Sequence, residues 1–139
     1  MPIELTPFPA DGAETLERWL ASPLVARWWK ARWTAPVLEA LRAGEPVPNW
    51  IRPWRVDLDG RPIGYAQDCD PARDSGAWAS EDGVGPGTRA VAVLIGEPEA
   101  LNRKLGREAI RALAGQLFAE PGIDRLVAAP PPDEGRAPA

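Results

Sequence analysis

The chain has 139 residues, 45% hydrophobic and 26% charged, with a formal net charge of −4, a single cysteine and no histidine. That length and balance predict one globular domain without a membrane-spanning helix, and the acidic excess argues against a nucleic-acid or anionic-membrane partner. Without histidine, His-based triads and most zinc sites are excluded, while the lone Cys69 excludes an internal disulfide and points to a reducing, cytoplasmic setting.

Met1-Pro2-Ile3-Glu4 lacks the basic-then-apolar layout of a secretory signal. Ile3 to Phe8 alternates apolar and polar residues and reads as a first strand. Asp11 is expected to cap a helix, with Glu14 completing a capping box and Leu16, Trp19 and Leu20 forming the apolar stripe. Ser22-Pro23 starts a second helix, Ser as cap and Pro at the first helical position, which carries Leu24, Val25, Trp28 and Trp29. A third helix over Thr34 to Arg42 ends at Gly44. Trp50 to Leu58 reads as a strand that Pro53 assigns to an edge or a bulge. Asp59-Gly60 is a two-residue hairpin signal, and Arg61 to Asp68 is the returning strand.

Residues 69–87 are rich in Gly, Asp, Ser and Pro and predict a long loop, a class that often carries function. Arg89 to Ile95 is nearly continuous in apolar residues and predicts a central strand buried on both faces. Lys104 to Phe118 is the clearest helix, with Leu105, Ala109, Ile110, Leu113, Ala114, Leu117 and Phe118 in one stripe. Pro121-Gly122 stops it, and Ile123 to Ala128 is a last short strand. Residues 1–129 thus form one domain, and Pro130 to Ala139 reads as a Pro-rich tail.

The unit over residues 89–128 is strand, loop, helix, strand, which requires a parallel pair and a crossover. Its helix begins with Asn102, Arg103, Lys104 and Arg107. Cations at a helix N-terminus cost roughly 0.3–1 kcal/mol each through the dipole. Three in one turn are a poor electrostatic choice unless an anion answers them, so this turn is read as an anion site suited to phosphates.

Several separated segments are similar to one family. Gly87 to Gly96, Leu101-Asn-Arg-Lys-Leu-Gly106, Ile110-Arg-Ala-Leu113 and Leu117-Phe118 resemble the acetyl-CoA-binding core of the GNAT N-acetyltransferases. The nearest branch holds the aminoglycoside 6'-N-acetyltransferases and the siderophore-type lysine N-acetyltransferases. Pro62-Ile-Gly-Tyr-Ala-Gln67 resembles the third strand of that branch, and Trp28-Trp29 the Trp pair after its first helix.

The resemblance implies an α/β (α+β) fold with a mixed, mostly antiparallel sheet and one parallel, splayed β-α-β unit. Acetyl-CoA is the implied co-substrate. The backbone of Val93, Leu94 and Ile95 would pair with pantetheine, and Asn102, Arg103, Lys104, Leu105, Gly106 and Arg107 would hold the pyrophosphate. The family's loop motif has Gly where this chain has Lys104, so an unstrained Lys there needs a helical φ. The acceptor is implied to be a cationic small-molecule amine. Trp28, Trp29 and Trp78 would shape its pocket, aided by the acids Asp68, Glu81 and Asp82. Trp50 and Trp54 are expected on one face of their strand.

The family carries one aspartate where this chain has Ala92 and another where it has Ala129. Its final helix, with a tyrosine as general acid, and two last strands have no counterpart before Ala139. These departures leave three readings: an active N-acetyltransferase, a CoA- or ligand-binding relative without turnover, and an incomplete domain. In the last, the C-terminal sheet edge would pair with a partner or a second copy.

Overall fold

The computed structural model describes residues 3–27, 29, 31–71, 87–100 and 104–129. The first strand, β1 (Ile3–Pro7), leads to the helices α1 (Ala13–Leu20), α2 (Pro23–Ala26) and α3 (Ala31–Ala43). Strands β2 (Ile51–Leu58), β3 (Arg61–Cys69) and β4 (Thr88–Ile95) follow. A 3-10 turn (Pro98–Ala100), α4 (Leu105–Phe118) and β5 (Arg125–Ala129) close the described chain. The sheet order is β1-β2-β3-β4-β5, antiparallel at every pairing except the parallel β4–β5 pair, which is the mostly antiparallel sheet with one parallel unit that the resemblance implies.

Local chemistry explains most boundaries. Asp59 and Gly60 both adopt left-handed backbone (φ 51° and 81°), the geometry that lets a two-residue turn follow the twist of β2 and β3. Gly44, at φ 69°, ends α3. Ser22 and Pro23 open α2 at the expected positions, although the Ser22 side chain makes no cap hydrogen bond. Helix α1 starts one residue later than predicted: its cap is Gly12, not Asp11. The Phe8 ring lies against residue 12, where a Cβ would collide with it, so the entry to α1 is set by close packing.

Pro53 sits inside the sheet rather than at an edge. Its carbonyl accepts from Phe8 N–H at 3.1 Å, so its missing N–H faces the β1 side, just beyond the β1–β2 register. The ladder with β3 loses nothing there. The one irregularity of β2 falls elsewhere, between Val56 and Asp57.

The sheet has two packed faces. On one, α4 buries Leu105, Ala109, Leu113 and Leu117 against Leu5, Val56, Ile63, Val91, Val93 and Ile95. That row has a strict spacing of four. Ile110 and Ala114 flank it, and Phe118 has turned out to 51% exposure, so the predicted stripe is narrower than expected. On the other face, α1 to α3 bury Leu16, Trp19, Val25, Trp29 and Val37 against Phe8, Tyr65, Ala92 and Leu94. Trp50 packs into this second cluster and Trp54 into the first; Trp50 precedes the strand and does not follow its alternation. Among the described residues no helix is long and apolar enough to cross a membrane. The expected tail, 130–139, lies outside the described residues.

Candidate functional site

β4 is the axis of the site. Val93, Leu94 and Ile95 pair with Ala66, Tyr65 and Gly64 of β3 on one side. On the other side, pairing with β5 ends at Ala92↔Ala129 among the described residues. All three side chains are buried, so whatever meets this segment meets its backbone. β3 approaches so closely here that a Cβ at Gly64 would collide with the Leu94 carbonyl.

The same end of the β-α-β unit carries the N-terminus of α4. The first turn of a helix points its N–H groups outward, and the dipole adds positive potential. At α4 the first turn is built from Leu105, Gly106 and Arg107; the first two are buried and Arg107 is exposed. Lys104 is the cap, and its backbone is left-handed, φ 56° and ψ 26°. The helical φ that an unstrained Lys requires is therefore not adopted. A backbone suited to Gly is held by a Lys, at a cost of roughly 1–2 kcal/mol. The left-handed cap, the side-chain-free Gly106 and the cationic turn fit a diphosphate group. Asn102 and Arg103 lie outside the described residues.

Of the expected acceptor residues the structure describes two, Trp29 and Asp68, and it does not bring them together. Trp29 is buried, meets Tyr65 edge-on (centroids 6.1 Å, planes at 84°) and donates its Nε1–H to Thr34 Oγ1 at 3.3 Å. It also borders a cleft of about 360 Å³ between α1, α2 and α3, lined by Leu20, Ala26, Leu38, Glu39 and Arg42. Asp68 lies on the opposite face of the sheet from Trp29 and is fully buried. It meets cations of its own chain instead of an acceptor. Its Oδ1 accepts from Arg89 Nη2 (2.6 Å), Arg89 Nε (2.9 Å) and Arg52 Nε (3.0 Å), and its Oδ2 from Trp54 Nε1 (2.7 Å). Arg52 stacks over the Trp54 ring at 5.8 Å and reaches Glu120 beyond the end of α4. A buried carboxylate so fully engaged is a structural element. Trp28, Trp78, Glu81 and Asp82 lie outside the described residues.

Ala92, where the described β4–β5 pairing ends, lies in register with Gln67 of β3. Gln67 accepts a 2.7 Å hydrogen bond from the Tyr65 hydroxyl. Burial pushes that hydroxyl well above its ordinary titration range, with smaller contributions from Cys69 and Asp68. Tyr65 thus belongs to the core and holds its proton.

Sequence reasoning missed Glu97. It stands two residues after the end of β4 and accepts from Trp19 Nε1 at 2.6 Å and from Arg18 Nη2 at 3.0 Å. The link spans 78 positions in sequence, and no local pattern announces it.

The geometry agrees with comparisons to known proteins. A family model described as an acetyltransferase (GNAT) domain matches residues 9–139. The aminoglycoside N(6')-acetyltransferases type 1 of Klebsiella pneumoniae and Serratia marcescens are each 29% identical over 126 residues, which is 88% of this chain and 62% of theirs. The match thus spans less than two thirds of those relatives. The crystal structure of aminoglycoside acetyltransferase AAC(6')-Ib with coenzyme A superposes with a TM-score of 0.74 at 28% identity, covering 93% of this chain and 75% of that one. Its complex with coenzyme A and kanamycin gives 0.75 at 27% identity, over 93% and 74%. With the model matching nearly the whole chain and the sheet arranged as the resemblance implies, this chain belongs to the GNAT acetyltransferase family.

Proposed function

We propose that the chain transfers an acetyl group from acetyl-CoA to an amine of a cationic, aminoglycoside-like small molecule in the cytoplasm. The observation that carries this reading is the coincidence at one end of the β-α-β unit. The described β4–β5 pairing runs to Ala92↔Ala129, and β4 continues to Ile95 ahead of the left-handed cap of α4. A pantetheine chain has amides to pair with a strand backbone such as Val93 to Ile95, and a diphosphate suits such a helix start. Relatives that carry the aminoglycoside acetyltransferase name, one of them solved with coenzyme A and kanamycin, support the donor and the acceptor class.

In the reaction the acceptor nitrogen attacks the thioester carbonyl carbon, the C–S bond breaks, the thiolate leaves as CoA, and the new ammonium loses a proton. This chain contributes placement: the β4 backbone and the first turn of α4 fix the donor. Orientation of this kind is a large part of any acyl transfer.

A second reading is favoured by Ala92. This position on β4, where the resemblance puts an aspartate, is apolar and lies in register with Gln67. A domain that binds CoA without turning over would look the same. Calorimetry with acetyl-CoA, followed by mass spectrometry of kanamycin and of a lysine-type amine after incubation, separates the two. Binding with an acetylated product supports transfer. Binding without product supports the second reading, and no binding overturns both.

A further inference from the structure

The turn that leaves β4, Gly96–Ala100, adjoins the strand half of the proposed CoA site and is tied to elements outside itself. Gly96 N–H and Glu97 N–H both donate to the Ile63 carbonyl, at 2.8 and 3.2 Å, which ties the start of the turn to β3. Ala100 N–H then donates to the Glu97 carbonyl at 3.0 Å, and Ala100 is buried in the core beneath α4.

The other anchor comes from the opposite face. Trp19, on α1, is 1% exposed, and its ring lies against Gly96 so closely that any Cβ there would collide with Trp19 Cγ. Its indole N–H reaches past Gly96 to Glu97 Oε2 at 2.6 Å, and Arg18 donates to the same oxygen at 3.0 Å. The Glu97 side chain is only 16% exposed, whereas Arg18 is 62% exposed, so the Trp19 bond is the sheltered one. A hydrogen bond to a charged acceptor in a shielded place is stronger than a neutral one. Arg61 pairs with Glu99 two residues on, at 3.0 Å, and adds a smaller attraction to the Glu97 carboxylate, whose hydrogen bonds go to α1.

We propose that Glu97, bolted by the Trp19 indole and Arg18, is a positioning residue that holds the turn at the end of β4, Gly96–Ala100, in the form that lets β4 receive the CoA donor. It acts through the turn and does not touch the reacting atoms. The bolt also fixes α1 to the donor side, so a helix of one face sets the register of a site built mainly on the other. This inference rests on the acyl-CoA reading above.

The test compares wild type, Glu97→Ala and Glu97→Gln by calorimetry with acetyl-CoA, with acceptor KM measured alongside on whichever amine is acetylated. The Gln side chain can still accept the indole N–H. The expected result is a loss of CoA affinity of fivefold or more for Glu97→Ala, restoration to within about twofold by Glu97→Gln, and an acceptor KM that stays put. Should Glu97→Ala not fold, Trp19→Phe carries the same expectation, since it keeps a ring beside Gly96 and removes the N–H. If wild type binds and the variants bind equally well, the inference is overturned while the acyl-CoA reading stands. If wild type takes up no CoA, the acyl-CoA reading falls and takes the inference with it.

Discussion

The two faces of the sheet are packed by different chemistry. The α4 face is aliphatic, and its polar groups are gathered into one network at one end, around Asp68. The α1–α3 face is richer in rings, and three of them bring a polar partner of their own: Trp19 to Glu97, Trp29 to Thr34, Tyr65 to Gln67. Aliphatic side chains ask only for volume, so a single helix at a spacing of four fills the first face. Aromatic rings with N–H or O–H groups ask for volume and an acceptor, so the second face needs three helices and several loop contacts. The consequence is that polar damage should be concentrated on one face and distributed on the other.

Asp68→Ala should do the most harm. It leaves two guanidiniums and an indole N–H without their common acceptor, and breaking a buried ion pair from one side costs roughly 3–5 kcal/mol. Urea unfolding should record that loss; a change under 1 kcal/mol would mean the network is interchangeable with water. Gly96→Ala comes next. The collision with Trp19 must be relieved by moving a fully buried ring, which costs about 1–3 kcal/mol. An unchanged urea midpoint would show that α1 is free to slide and that the aromatic face is looser than its packing suggests.

Tyr65→Phe should cost less, about 1 kcal/mol, because the ring stays and one neutral hydrogen bond goes. A loss as large as that of Asp68→Ala would erase the distinction between the faces. Glu97 adds a pH dependence to the aromatic side. The Trp19 N–H, then Arg18, holds its carboxyl below the ordinary value of 4.5. A carboxyl lowered in the folded state contributes stability that is whole above that ordinary value and disappears as pH falls through the lowered one. Wild type and Glu97→Gln should therefore differ in stability at neutral pH and converge in acid; a constant difference at every pH contradicts this.

These sites also show what the sequence reveals. The α4 face follows from periodicity: Leu105, Ala109, Leu113 and Leu117 announce the helix, the apolar run at 89–95 announces the buried strand, and Asp59-Gly60 announces the hairpin. Each is a local signal. Asp68 could not be read that way. An acid before a polar loop looks solvated, and only the register of β2, β3 and β4 brings Arg52, Trp54 and Arg89 around it. Glu97 was invisible for the same reason, since its partner lies on the first helix. The strand and the helix of the proposed donor site were legible because each is announced by its own local pattern, the apolar run at 89–95 and the spacing of four in α4. The expected pairing of Trp29 with Asp68 failed because the sheet puts the two on opposite faces, which no local pattern in the sequence announces.

Lys104 offers the smallest effect and the only one expected to stabilise. Its φ of 56° is a region that L side chains avoid and Gly enters freely. Lys104→Gly removes that strain but gives the unfolded chain more freedom, so the net gain should be about 0.5–1 kcal/mol. The same substitution bears on the donor site. If the backbone N–H groups of α4 carry the diphosphate, CoA affinity should stay within tenfold of wild type, since the left-handed cap is kept and only a side chain is lost. A gain in stability with nearly unchanged binding places the recognition in the backbone. A loss of binding beyond tenfold, with the gain in stability intact, places it in the ammonium group and explains why a strained Lys stands at a position suited to Gly.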